Sequence, residues 1–178
     1  MARIGTAKAV SAAAAAAAIN PFVEVTALIE RVAGNRLDTL VASADVVLDC
    51  SDNFVTRHDV NAACVRHAKP LVAGAAIGFD GQISVYDTRL ADAPCYACAF
   101  PHDPAFADVA CATMGVFAPL VGIVGSMQAA EALKLLVGIG TSLAGRLQML
   151  DARTMGWTEI GVGRDPHCAV CASRAASS

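Results

Sequence analysis

The chain has 178 residues, enough for one domain with a full core. Apolar residues make up 56% and charged ones only 16%, a composition that excludes a disordered chain. The net charge of −3 offers no electrostatic footing for nucleic acid or an anionic membrane, so neither is an expected partner.

Residues 8–18 open on Lys8 and continue mostly as alanine, a strong helix former. Asn20 and Pro21 stop that helix. Residues 22–29 alternate as a strand, and 37–43 read as a short helix. Residues 44–50 form a compact apolar run, the pattern of a parallel strand covered on both faces. Ser51, Asp52 and Asn53 make a turn and N-cap cluster for a helix over 54–67, with Val55, Ala62 and Val65 facing inward. Pro70 breaks that helix, and 71–77 is a second buried strand. After a turn at 78–81, residues 82–87 alternate as a strand, Ile83 and Val85 against Ser84 and Tyr86.

Residues 88–113 are irregular and rich in Pro, Asp and Cys. The longest helix spans 118–137 and ends at Gly138 and Gly140. Two closing strands follow, 146–151 and 156–162. Strand–helix alternation followed by antiparallel strands implies a mixed α/β sheet with flanking helices. With no internal repeat and no boundary in the pattern, the expectation is a single domain over 1–178. Residues 112–130 carry no charge, but Thr113, Pro119, Ser126 and Gln128 interrupt them and Glu131 and Lys134 follow at once. A buried core helix is the better reading than a bilayer span.

Seven cysteines are present: Cys50, Cys64, Cys95, Cys98, Cys111, Cys168 and Cys171. No secretory signal precedes them, which makes a reducing cytoplasm the expected setting and directs the CxxC pairs to metal or redox chemistry. Cys95-Tyr96-Ala97-Cys98 and Cys168-Ala169-Val170-Cys171 are two clips, each able to place two thiolates on one side of an ion. A redox CxxC normally occurs once, at a helix start, so two clips favour one structural zinc site made of all four cysteines. Four thiolates leave the ion no open position. It would fasten the C-terminal tail to a mid-chain loop.

Asp52 follows a predicted strand, and ligands of open α/β sheets bind beyond the carboxyl ends of strands. Two readings stand for it: a carboxylate that holds magnesium against nucleotide phosphates, or a member of the helix cap. Spacing alone favours the cap.

Several motifs in order then point to a family. Asp45 through Asn53, with Arg57 and the segment from Asn61 to Cys64, resembles the ubiquitin-activating-type adenylyltransferases of the ThiF/MoeB/HesA family. So do the segment from Pro70 to Gln82 and the segment from Ala118 to Lys134, and the paired clips complete the pattern. The resemblance runs from about Gly5 to Cys171. It implies a Rossmann-like mixed sheet and a reaction in which MgATP adenylates the C-terminal glycine of a small ubiquitin-like sulfur-carrier protein, for thiamine or molybdopterin cofactor synthesis. By the family motif Asp52 matches the magnesium- and ATP-associated aspartate. Lys8, at the family's spacing before Ile19-Asn20-Pro21, matches a phosphate-contacting lysine, although Ala9 and Val10 replace the usual polar pair. Taken alone, Lys8 is solvated surface. Cys111 aligns with a cysteine that some members use in sulfur transfer; an inert thiol is the alternative. Cys50 and Cys64 read as small core residues, and His102 and His167 as donors near the clips or plain surface.

The family's first strand, glycine-rich phosphate loop and ribose-binding acid should precede Lys8 and are absent. Gly122 and Gly125 lie inside a helix, Gly138 and Gly140 end one, and Gly161 and Gly163 precede Arg164. None joins a strand to a helix start, as phosphate cradling requires. The expectation is therefore the C-terminal portion of the family fold, incomplete at its nucleotide-binding end. Either it is part of an adenylyltransferase, or it is a non-catalytic zinc-bound module that docks a carrier or partner subunit. Pairing with a second copy or another chain would cover the exposed edge.

Overall fold

The computed structural model describes residues 3–102 and 115–174. Contacts divide the chain into two units, Met1–Ala33 and Gly34–Ser178. In the first, helix α1 (Lys8–Ile19) carries the alanine run, and its last turn closes with the Asn20 N–H on the Ala16 carbonyl at 2.9 Å. Residues 22–29, predicted as a strand, are irregular chain. Alternation marks which residues could share a face. It does not supply the ladder of hydrogen bonds that makes a strand.

The second unit is built on five strands in the order β1-β2-β3-β4-β5. Helix α2 (Gly34–Ser43) leads to β1 (Val47–Asp49), and α3 (Phe54–Arg66) crosses to β2 (Leu71–Ile77), which runs parallel to β1. From there the sheet is antiparallel: β3 (Asp80–Tyr86), β4 (Arg146–Asp151) and β5 (Gly156–Gly161) each pair with the strand before. Between β3 and β4 lie a single helical turn, α4 (Tyr96–Ala99), and the long helix α5 (Ala118–Val137). Gly138 caps α5 at φ 70°, the left-handed region that favours glycine.

The sheet is mixed, as the pattern required. β1 is shorter than predicted, because only three residues find partners on β2. Period-two alternation sorts β2 between two layers. Leu71 and Ala73 join Val41, Ala63, Cys64, Tyr86 and Tyr96 under α2, α3 and α4. Val72 joins Ile83, Val85 and Ala132 under α5. α5 also lays Leu120 and Val124 on Leu150. It is the one described helix long and apolar enough to cross a membrane, yet Leu120, Val124, Gln128, Glu131 and Ala132 bury one face of it inside this unit.

The inward face of α3 differs from the expectation. Val55 is 54% exposed, while Arg57, Asn61, Ala63 and Cys64 are buried. A search for apolar spacing passes over polar side chains that are buried because they bind backbone and sulfur.

Candidate functional site: a carboxylate turn and a four-cysteine clip

The turn between β1 and α3 is held from four directions. Asn53 Oδ1 accepts the Thr56 N–H at 2.8 Å and so caps α3. The buried Asp49 carboxylate accepts the Ser51 N–H at 2.8 Å. Arg57, itself buried, donates through Nη2 to the Ser51 carbonyl and, at 3.1 Å, to the Gly74 carbonyl. Its Nη1 stands 3.8 Å from Asp49 Oδ2. From α5, Gln128 Nε2 donates to the Asp49 carbonyl at 2.8 Å and the Val72 carbonyl at 3.3 Å. Gly74 makes room for that amide, since a Cβ there would stand 2.5 Å from Gln128 Cδ.

Within this frame Asp52 is exposed, at the carboxyl end of the parallel strand, and its carboxylate has no partner among the described residues. The cap belongs to Asn53. A carboxylate fixed on a rigid turn, free of local duty, can take a cation or a polar ligand at little reorganisation cost.

The second constellation is the pair of clips. The four Sγ atoms of Cys95, Cys98, Cys168 and Cys171 lie within 4.8 Å of one another. Cys98 and Cys171 are 3.5 Å apart, Cys95 and Cys168 3.7 Å, and Cys95 and Cys98 3.9 Å. Sulfurs at about 2.3 Å from a central ion in a tetrahedron stand about 3.8 Å apart. The cluster therefore has the dimensions to hold a metal ion.

The local chain explains the geometry. Cys95 stands at the N-cap position of α4, and the Cys98 N–H bonds the Cys95 carbonyl at 3.0 Å, turning both thiols one way. Two arginines bring the other clip alongside. Arg164 donates to the Ala91 carbonyl at 3.1 Å and the Cys171 carbonyl at 2.9 Å. Arg174 donates to the Ala93 carbonyl at 3.2 Å and the Ala91 carbonyl at 2.9 Å. Burial pushes the Cys95 thiol up, against the donation of Asn61. Burial also acts on Cys168, but the Val170 and Cys171 N–H groups, together with the Cys95 and Cys171 thiols, hold that thiol below its ordinary value.

A model of the ThiF family matches residues 1–170. The chain belongs to the ThiF family. It is 44% identical over 153 residues to the Sulfur carrier protein ThiS adenylyltransferase of Escherichia coli, covering 86% of this chain and 60% of the relative. It is 43% identical over 172 residues to the Sulfur carrier protein adenylyltransferase of Thermus thermophilus, covering 94% and 64%. The Molybdopterin-synthase adenylyltransferase of Salmonella typhimurium is 40% identical over 172 residues, covering 96% and 68%. The chain thus spans 60–68% of the length of these relatives. Among solved structures, E. coli MccB with MccA-N7isoASN matches the fold at a TM-score of 0.75 and 18% identity, covering 94% of this chain and 52% of that one.

The other residues singled out in the sequence of this ThiF-family chain fall in different places. Lys8 is the first residue of α1 and is exposed, in the Met1–Ala33 unit. Cys111 lies outside the described residues. Cys64 is fully buried, and burial pushes its thiol up to about 12, so it is the inert core residue expected. Cys50 is not a core residue: it is exposed at the end of β1, its thiol 3.6 Å from Gln128 Oε1. His102 rests on the His58 ring, centroids 5.3 Å apart, and the His167 backbone N–H bonds Asp165 Oδ1. The residues that organise the two sites are instead Arg57, Asn61, Gln128, Arg164 and Arg174. Sequence reading missed their roles because each acts on backbone or on sulfur far away in the chain, where no local spacing signals it.

Proposed function

We propose that this chain is the zinc-bearing part of an adenylyltransferase that activates the C-terminal glycine of a ubiquitin-like sulfur-carrier protein with ATP, in thiamine or molybdopterin cofactor synthesis. The observation that carries it is Asp52, exposed at the end of a parallel strand and relieved of capping by Asn53. Identity of 40–44% to relatives named as adenylyltransferases of sulfur carriers and of molybdopterin synthase supports the same reading.

In the reaction the carrier's terminal carboxylate attacks the α-phosphorus of ATP, an acyl-adenylate forms and pyrophosphate leaves. Asp52 would hold the magnesium ion, which when bound neutralises charge on the phosphates. Lys8 would contact the phosphates, and Cys111 would serve sulfur transfer. The chain's own contribution is positional: Arg57, Asp49 and Gln128 fix the turn that presents Asp52. The metal of the clips is read as zinc, because four thiolates in a tetrahedron are its preferred structural set. With all four positions taken by sulfur it has a structural role only. Six free thiols among the described residues suit a reducing cytoplasm. Exposed Val121, Leu133, Leu136 and Val137 on α5 favour association with a second copy or another chain.

A second reading is a zinc-bound module that docks a carrier or partner without catalysis. It is favoured by the junction of β1 and α3, which runs through Cys50, Ser51, Asp52 and Asn53 and contains no glycine to cradle phosphates. Exchange of labelled pyrophosphate into ATP in the presence of a carrier separates the two. Exchange by the chain, lost in Asp52→Asn with the fold kept, is the expected result. No exchange by a folded, zinc-loaded chain that still captures the carrier would favour docking.

A further inference from the structure

Asn61 sits in the middle of α3 and is 1% exposed. Both halves of its amide are used. Oδ1 accepts the Tyr96 backbone N–H at 2.9 Å, and Nδ2 lies 3.6 Å from the Cys95 sulfur. The orientation of the amide follows from chemistry, since the Tyr96 N–H can only donate and must face the oxygen. The N–H₂ group therefore faces Cys95.

Four thiolates around a divalent ion carry two formal negative charges in excess, and here three of the four cysteines are buried. Cys95 and Cys171 are 0% exposed and Cys168 5%. Buried charge needs hydrogen-bond donors in place of water. The Asp165 N–H serves Cys98 at 3.5 Å, and the Val170 and Cys171 N–H groups serve Cys168. These are backbone groups in or beside the second clip. Among the described residues, Asn61 is the one side chain outside the clips that donates to a clip sulfur, and it comes from a different element. It also holds the clip backbone by its other end.

We propose that Asn61 is the positioning residue of the metal site: its N–H fixes and stabilises the Cys95 thiolate while its carbonyl fixes the turn that carries it. The proposal rests on the reading of the clips as a metal site. It assigns to α3 a part in metal binding that the cysteine spacing does not contain.

Asn61→Asp is the informative substitution. It keeps an oxygen for the Tyr96 N–H and replaces the donor with a second oxygen, now facing sulfur. Asn61→Ala removes both contacts without adding charge. Zinc affinity of the full chain is measured by competition with a chromophoric chelator, and folding by circular dichroism. The expected result is a 10- to 100-fold weaker affinity in both variants, of the order seen when partners of metal ligands are lost. Cobalt(II) substitution supplies a readout that mere loosening would not move. A thiolate deprived of its hydrogen bond gives up charge to cobalt more readily, so the sulfur-to-cobalt band moves to longer wavelength. Should Asn61→Asp not fold, Asn61→Ala and its cobalt band still decide. Wild-type affinity and an unshifted band in the folded variants would overturn the proposal while leaving the metal site standing. A wild-type chain that takes up neither zinc nor cobalt would overturn the metal reading and the proposal together.

Discussion

Thr56 donates its backbone N–H to Asn53 Oδ1 at 2.8 Å, so that Asn53, and not its neighbour Asp52, closes the first turn of α3. The two residues thereby separate in what they contribute. Asn53→Ala should lose about 1 kcal/mol of stability, the usual value of an N-cap side chain. Asp52→Ala should stay within about 0.5 kcal/mol of wild type, as an exposed side chain without partners among the described residues does. Urea unfolding of both variants checks this; equal losses would return Asp52 to a structural role.

Gly74 is a point of close approach between β2 and α5. A methyl group there meets the Gln128 side chain at 2.5–2.9 Å. Gly74→Ala should destabilise the chain by about 1–3 kcal/mol through overpacking. Combined with Gln128→Ala it should cost less than the sum of the two single changes, because the clash partner has gone. Additive losses in the double-mutant cycle would show that the two side chains do not meet.

Asp38 ties α2 to α3. Its carboxylate receives Arg66 Nη2 at 2.7 Å and lies 3.2 Å from His67 Nε2. The Arg66 hydrogen bond, with the charges of Arg66 and His67, holds the Asp38 carboxyl below its usual range. A depressed folded-state pKa means that the stabilisation is complete above the unfolded aspartate value of about 3.9 and is lost as pH falls through the folded value. The gap in melting temperature between wild type and Asp38→Asn should therefore close in acid below about pH 4. A gap that persisted at low pH would mean that the pair is not electrostatic.

Arg164 and Arg174 hold the tail on residues 90–93 without any metal. Stripping the metal with a chelator should leave the tail docked in the wild-type chain. In the Arg164→Ala, Arg174→Ala double variant the same treatment should raise amide exchange over residues 168–174 by about tenfold or more, since hydrogen bonds to charged groups contribute about 1.5–3 kcal/mol each. Equal exchange in the two chelated proteins would assign the docking to the cysteines alone.

Where apolar periodicity met a real packing face, the sequence was sufficient. Helix α5 ends on Gly138 and β4 runs from Arg146 to Asp151, both as the pattern required. The clips were legible too, because two CxxC pairs in one chain can make one four-sulfur site. Residues 22–29 were misread, since alternation cannot tell whether a neighbouring strand exists. The face of α3 was misread at Val55 for the opposite reason: Arg57 and Asn61 are interior residues whose partners, Ser51, Gly74 and Cys95, are brought to them only by the tertiary fold. The turn at Asp52 was visible as a turn, but the division of labour between Asp52 and Asn53 needed the 2.8 Å contact to decide it.

The first clip leaves the ribosome 73 residues before the second, and α5, β4 and β5 lie between them. Until those elements have been made and paired, Cys95 and Cys98 form half a site, two sulfurs of the four. Only a chain whose sheet has closed brings Cys168 and Cys171 to within 4 Å of them. Tight retention of an ion by all four sulfurs would therefore require the closed sheet. A half-folded copy carries the same first clip, but it offers an ion two sulfurs where the closed sheet offers four.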